Sequence, residues 1–299
     1  MSRLTIWFQA LRPFSFTASM TPVALGAALA LASSEPARWN ILPLVVLSTL
    51  LLHAGTNTLN DYFDFKKGID KDHTYGSSRV LVDRLMEPAA LLKASIAMFL
   101  AAALLGLVLI ALRGAPILLL GLIGLAGGIL YTASPIAYKY HALGDLLVFF
   151  LMGPLIVLGS FFTLTGRVQW HVFWVSLPLA MLVTAILSAN NLRDIQHDTS
   201  ANIKTLASLL GHNIARIEYC LLLLAAYLSV LVMIAAKILP PWSLLVLLTT
   251  PLAVKNITST ARSSPENTST LLSLDVNTAG LHFAFGLLLT ASILIPKLF

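Results

Sequence analysis

The sequence predicts an all-α membrane protein, a bundle of nine transmembrane helices around a central cavity, formed by a single polytopic domain over residues 1–299. Three observations predict it. Hydrophobic residues make up 58% of the chain and charged residues only 11%. Mean hydropathy is +0.86. Apolar runs repeatedly reach the roughly 20 residues needed to cross a bilayer. No single soluble core could bury that much apolar sequence.

Nine runs account for the bundle. The first, Phe14 to Ser33, follows Arg3 and Arg12, a basic lead like that of a signal peptide. Its length and the eight runs behind it predict an uncleaved helix. The second, Asn40 to Leu59, ends where asparagine and aspartate begin. Ala89 to Leu112 and Ala115 to Thr132 follow, and Gly121, Gly124 and Gly128 give the fourth run small faces for close helix contact. Asp145 to Thr165 is the fifth, and Trp170 to Ala189, the sixth, leads into a second acidic stretch. Ile217 to Ala236 carries Cys220, which as the single cysteine makes no intrachain disulfide and reads as a small buried hydrophobe. Trp242 to Ile257 and Thr278 to Leu294 complete the set.

Lysine and arginine set the orientation. With the amino terminus and every even-numbered loop on one side, that side holds fourteen of the nineteen, including Arg3, Arg12, Lys66, Lys67, Lys71, Arg79, Arg84, Lys139, Arg193 and Lys204. The other side keeps five. The amino terminus is therefore expected in the cytoplasm and the carboxyl terminus outside. The same excess explains the net charge of +6, so no nucleic-acid partner is needed.

Against this background two acidic patches stand out, Asn60-Asp61-Tyr62-Phe63-Asp64 running on to Asp70 and Asn191-Leu192-Arg193-Asp194 running on to Asp198. Both fall on the cytoplasmic side, where they can face one another. Asn57, Asn60, Asp61 and Asp64 recur at helical spacing, with His53 one turn earlier, and Asn190, Asp194 and Asp198 do the same beside Asn191. Carboxylates gathered at a membrane repel one another unless cations hold them together. An oxygen-only donor set suits Mg²⁺, which binds through a few carboxylates plus substrate phosphates. Basic residues interleave with the acids, and diphosphate oxyanions need both metal and fixed donors. Arg79, Lys139 and Arg193 lie nearest the helix ends.

The runs "NTLNDYFDFKKGID", "RVLVDRLMEP", "YTASPIAYKYHALGD" and "NNLRDIQHDTSANIKTLASLLG" resemble the UbiA superfamily of intramembrane aromatic prenyltransferases. Within it they resemble the MenA branch, which prenylates 1,4-dihydroxy-2-naphthoate on the way to menaquinone. The resemblance extends from "LRPFSFTASMTPVALG" to the last helix. It implies that Asn60, Asp64, Asp70, Asp194 and Asp198 hold two Mg²⁺ ions that bind a polyprenyl diphosphate. Tyr131, Lys139 and Arg79 match the family's other diphosphate-side positions. Asp61, Asn190, Asn191 and Arg193 are further substrate-binding candidates beside the matched positions. The spacing from Asp64 to Asp70, six residues with Lys67-Gly68 between, resembles the naphthoate branch rather than the 4-hydroxybenzoate enzymes, which tend to use four.

In this reading Asp64, Asp70, Asp194, Asp198 and Lys139 carry catalysis. Mg²⁺ and basic donors offset charge on the departing diphosphate. The allylic cation needs a dry pocket, with Tyr131, Phe149 or Phe150 as aromatic faces beside it. The acceptor ring attacks at carbon, and a naphthoate then loses carbon dioxide to give demethylmenaquinone. Asp70 and His53 are candidate bases for a phenolic proton. His73 and His197 read as surface residues, because Mg²⁺ seldom uses imidazole. The expected partners are the polyprenyl diphosphate, the aromatic acceptor and membrane lipid, in a bacterial-type cytoplasmic membrane. Oligomeric state and prenyl length stay open. Two alternatives remain: another acceptor such as 4-hydroxybenzoate or homogentisate, and an ion-coupled secondary transporter, which would place its carboxylates nearer the membrane midplane.

Overall fold

A computed structural model describes residues 2–71 and 77–297. Helix α1 (Arg3–Leu11) is capped by Ser2, whose side chain accepts from Thr5 N, and ends at Arg12 in the left-handed region. A short 3-10 turn, Pro13–Phe16, leads into α2 (Thr17–Ala32). Then come α3 (Leu42–Lys66), α4 (Pro88–Arg113), α5 (Ala115–Leu130), α6 (Gly144–Met152), α7 (Pro154–Thr165) and α8 (Trp170–Arg193). Two short helices, α9 (Ile195–Ser200) and α10 (Leu206–Leu210), precede α11 (His212–Ala235), α12 (Thr250–Ala261) and α13 (Leu274–Leu294).

Eight helical segments among the described residues are long and apolar enough to cross a membrane. A further apolar helix, α5, is shorter at 16 residues, so the nine expected runs are all present as helix. The all-α membrane bundle stands, and the chain is a multi-pass integral membrane protein. Three runs differ in detail. The first, Phe14 to Ser33, is preceded by a separate helix α1, which ends where Arg12 takes a positive φ of 52° ahead of Pro13. The fifth is broken into α6 and α7 at Gly153-Pro154, since proline has no N–H to continue the ladder. The eighth starts as a 3-10 segment, Pro241–Thr249, before α12.

Helix α8 lies at the centre, packed along α11, α13 and α6, while α2 packs along α13 and α7, and α3 along α4. The shared core includes Leu25, Phe161, Val175, Leu179, Leu182, Leu223 and Phe285. Leucines at 100, 104, 107, 119, 122, 221, 224 and 228 point outward, as a lipid-facing surface requires. Gly128 permits the close approach expected of the fourth run: a Cβ there would sit 2.5 Å from Thr56 Oγ1 and 3.4 Å from Phe99. Gly121 faces open space, so its smallness serves no contact of that kind.

A smaller cluster, Ala10, Val80, Leu81 and Leu91 with Trp7 and Tyr62 against it, joins α1 to the segment that follows the first acidic patch. This cluster holds the amino-terminal segment over the end of α3.

Candidate active site

The polar stripe on α3 divides into two rows four residues apart. His53, Asn57 and Asp61 face the amino-terminal segment, which runs antiparallel to α3. His53 Nδ1 lies 2.8 Å from Ser19 Oγ, Asn57 Nδ2 donates to Ser15 Oγ at 2.9 Å, and Asp61 pairs with Arg12. Ser78 N also donates to Asp61 Oδ2, at 3.2 Å. Asp61 is thus a buried anchor for Arg12 and the loop at Ser78. The second row, Asn60 and Asp64, adjoins the first on the same side of the helix but meets a different neighbour.

That second row meets the loop between α5 and α6. Lys139 Nζ donates to Asp64 Oδ2 at 2.7 Å and to Asn60 Oδ1 at 3.0 Å, while the Tyr140 hydroxyl donates to Asp64 Oδ1. Burial alone would favour a neutral Lys139, yet the Asp64 charge and its hydrogen bond outweigh it and hold the ammonium above its ordinary pKa. Tyr131 packs edge-on against Tyr138, and Lys139 stands 5.8 Å from its ring centre. Lys67 closes the same loop from below, donating to Thr132 O at 3.0 Å with its ammonium 4.1 Å from the Tyr140 ring centre.

Asp70 returns to Asp64 through a turn at the end of α3. Ile69 N and Asp70 N both donate to Asp64 O, at 2.9 and 3.3 Å. The turn requires a positive φ at Gly68, 68°, which glycine adopts without strain. The Asp70 carboxyl is pushed up to about 7, first by burial and then by the Asp64 and Asp61 charges.

The second patch ends α8. Helix α8 stops at Arg193 and α9 starts after Asp194, but Asp194 N donates to Asn190 O at 3.1 Å and Asp198 N to Asp194 O at 2.8 Å, so the one-turn register of Asn190, Asp194 and Asp198 carries across the break. Asn191 turns away to donate to Asp145 Oδ2 at 3.3 Å, and Asn190 Oδ1 accepts from Arg193 at 2.6 Å. Arg193 grips Asp194 through Nε and Nη2, at 2.9 and 2.8 Å, and reaches Asp275 on α13 at 3.0 Å. Asp198 is held by Thr205 Oγ1 at 3.4 Å.

The two patches are brought together by the Lys139 loop. His141 and Lys204 form a parallel bridge, with Ala142 N donating to Lys204 O at 2.6 Å and Lys204 N to Tyr140 O at 3.3 Å. This zips the loop bearing Lys139 to the chain just after Asp198. The Asp198 carboxyl is pushed up to about 7 by burial and then by Asp194, Lys139 opposes the rise, and Asp64 adds to it. Charges from both patches therefore meet at Asp198.

Among the described residues, no three carboxylate, imidazole or thiol groups converge on one point. The donor set nonetheless fits a hard cation: it is all oxygen, and Asp70 and Asp198 each feel the charge of neighbouring carboxylates. Arg79 pairs with Asp83, one turn on, at 2.7 Å and a third exposed. His197 lies 3.8 Å from Asp198 Oδ1, and His73 falls outside the described residues. An apolar cavity of about 360 Å³ opens between α8 and α11, lined by Trp174, Met181, Leu228 and Met233. None of the charged groups line it.

Sequence reasoning did not assign Tyr140, Asp145 or Asp275 to the site, and it used Arg12 only for orientation. Tyr140 adjoins Lys139 and was within reach of the same loop pattern. The other three depend on pairings across 46 residues or more, which no local spacing displays.

The profile of the UbiA prenyltransferase family matches residues 19–278. The chain is 33% identical to the 1,4-dihydroxy-2-naphthoate octaprenyltransferase of Bacillus subtilis, over 97% of this chain and 92% of that protein. It is 36% identical to UbiA prenyltransferase domain-containing protein 1 of Homo sapiens, over 97% of this chain and 85% of that one. Among solved structures, a UbiA homolog from Archaeoglobus fulgidus bound to GPP and Mg²⁺ superposes with a TM-score of 0.57 at 16% identity, covering 96% of this chain and 99% of that one.

Proposed function

This chain belongs to the UbiA prenyltransferase family, and from that premise we propose that it transfers a polyprenyl group from polyprenyl diphosphate to a ring carbon of 1,4-dihydroxy-2-naphthoate. Carbon dioxide leaves the attacked position, and the product is demethylmenaquinone. One observation carries the reading: Lys139 bonds Asn60 and Asp64 at the end of α3, and its loop is bridged through His141 and Lys204 to the chain just after Asp198. Such an arrangement of acids around a fixed ammonium suits a diphosphate bridged to both ends. The Bacillus subtilis relative named for the naphthoate supports the choice of acceptor.

Asn60, Asp64, Asp70, Asp194 and Asp198 are the residues that would hold Mg²⁺. When bound, Mg²⁺ supplies positive charge against the oxyanions of the leaving group. Lys139 adds a fixed donor beside them, preorganised by Asn60 and Asp64. The Tyr131 ring lies next to Lys139, where its face can stabilise allylic positive charge.

The carboxylates gather at one end of α3 and α8 rather than along their middles, which favours an enzyme over an ion-coupled transporter. The site is placed at the cytoplasmic face of a bacterial-type membrane, with the amino terminus inside, by the lysine and arginine bias. The test offers purified protein Mg²⁺, a polyprenyl diphosphate and either 1,4-dihydroxy-2-naphthoate or 4-hydroxybenzoate, and follows product mass. Prenylation of the naphthoate is expected. Turnover of 4-hydroxybenzoate alone overturns the acceptor assignment.

A further inference from the structure

Arg193 lies at the centre of the second patch with its side chain only 3% exposed. Its Nε and Nη2 engage both oxygens of Asp194, Nη2 also reaches Asn190, and Nη1 reaches Asp275 Oδ2 at 3.0 Å. A buried guanidinium gripping a carboxylate through both oxygens cancels most of its charge. If Asp194 were the only acid on Arg193, it would be a poor partner for a cation. Asp275 changes that balance. It comes from the first turn of α13, far away in sequence, and gives Arg193 a second carboxylate, so the three groups together carry one net negative charge.

We propose that Asp275 is a positioning residue of the second acidic motif: by sharing Arg193, it leaves the Asp194 carboxylate with charge to offer a divalent cation and the diphosphate bound to it. This rests on the proposed prenyl transfer and deepens it. It also gives Arg193 a role different from direct diphosphate binding: the guanidinium fixes the orientation of Asp194 while Asp275 offsets its charge.

The competing reading is that Asp275 merely satisfies an N–H in the first turn of α13, since its Oδ1 accepts from Val276 N at 2.9 Å. The substitution Asp275→Asn separates the two. Asparagine keeps an oxygen for Val276 N and for Arg193, but removes the charge. The experiment titrates Mn²⁺ alone into protein in lipid nanodiscs and reads free Mn²⁺ by electron paramagnetic resonance, for wild type, Asp275→Asn and Asp275→Glu. Thermal melts without metal report folding.

The expected result is Mn²⁺ binding weakened about tenfold in Asp275→Asn, the scale set by one unit charge removed a few ångströms from the cation. Asp275→Glu should recover to within about threefold of wild type, and the melts should be similar. If Asp275→Asn fails to fold, Asp275→Ser reads the same loss of charge. Wild-type affinity in the neutral variant, or no recovery in Asp275→Glu, overturns the role of Asp275. Absence of Mn²⁺ binding by wild type overturns the metal-dependent reading on which it rests.

Discussion

Lys139 donates to Asp64 Oδ2 at 2.7 Å while reaching Asn60 Oδ1 at 3.0 Å, so an ammonium stands between two of the oxygen donors that the proposed mechanism assigns to Mg²⁺. Lys139 therefore has two opposed effects. It competes with a metal that arrives alone, and it favours a diphosphate that arrives with one.

Lys139→Met should separate these effects. Binding of Mn²⁺ alone should hold or strengthen, whereas the KM for polyprenyl diphosphate should rise and kcat/KM fall about 100-fold, the cost of losing a charged donor to the leaving group. A parallel loss of metal and diphosphate affinity would contradict this account of Lys139.

Arg12 and Asp61 form a buried pair, with side chains 13% and 3% exposed. Arg12→Met leaves the Asp61 charge without its guanidinium, so stability should fall by about 3 kcal/mol or more. The measurement is the melting temperature in detergent. Arg79, by contrast, pairs with Asp83 at a half-exposed surface, where such pairs contribute below about 1 kcal/mol. Arg79→Gln should leave the melt unchanged and, if Arg79 serves the diphosphate, raise its KM.

Metal binding should depend on pH. Asp70 and Asp198 both sit near 7, above the ordinary carboxylate range, so each must lose a proton before it can serve as an anionic ligand. Between pH 8 and pH 6, Mn²⁺ affinity should fall about tenfold per group. Without metal the sign reverses. The folded state binds these protons more tightly than the unfolded chain, so their contribution to stability is present at low pH and is lost as pH rises through 7. Calorimetry in two buffers of different ionisation enthalpy checks the proton release.

The helices were legible because their apolar runs are long. Even the short α5 was visible as a run, whereas the break at Gly153-Pro154, the 3-10 start of the eighth run and the short helices α1, α9 and α10 escaped. The acidic residues were legible from their spacing, yet spacing on one helix could not tell which neighbour each would meet. Asp61 and Asp64 are three residues apart, on adjoining rows of one helix face, yet meet different partners, one Arg12 and the other Lys139. Asn190 and Asn191 are adjacent and also diverge, one to Arg193 and the other to Asp145. Those choices are made by packing between helices, which the sequence of one helix does not record.

Tyr140 is the residue in the loop that the family resemblance left unassigned. Its hydroxyl donates to the Asp64 oxygen that Lys139 does not take. Tyr140→Phe should keep the ring contact with Lys67 and lower kcat by about tenfold through loss of one hydrogen bond to a charged group. An unchanged kcat would confine Tyr140 to packing.

The central claim is that the acidic ends of α3 and α8 form one Mg²⁺-dependent clamp for the diphosphate. The most direct measurement is equilibrium binding of a polyprenyl diphosphate to purified protein, in Mg²⁺ and in EDTA, for wild type, Asp64→Asn and Asp194→Asn. The account predicts binding in Mg²⁺ that weakens at least about 100-fold in EDTA and in either variant, because each removes charge that holds the bridging metal. Wild-type affinity in either variant, or binding in EDTA equal to that in Mg²⁺, would contradict it.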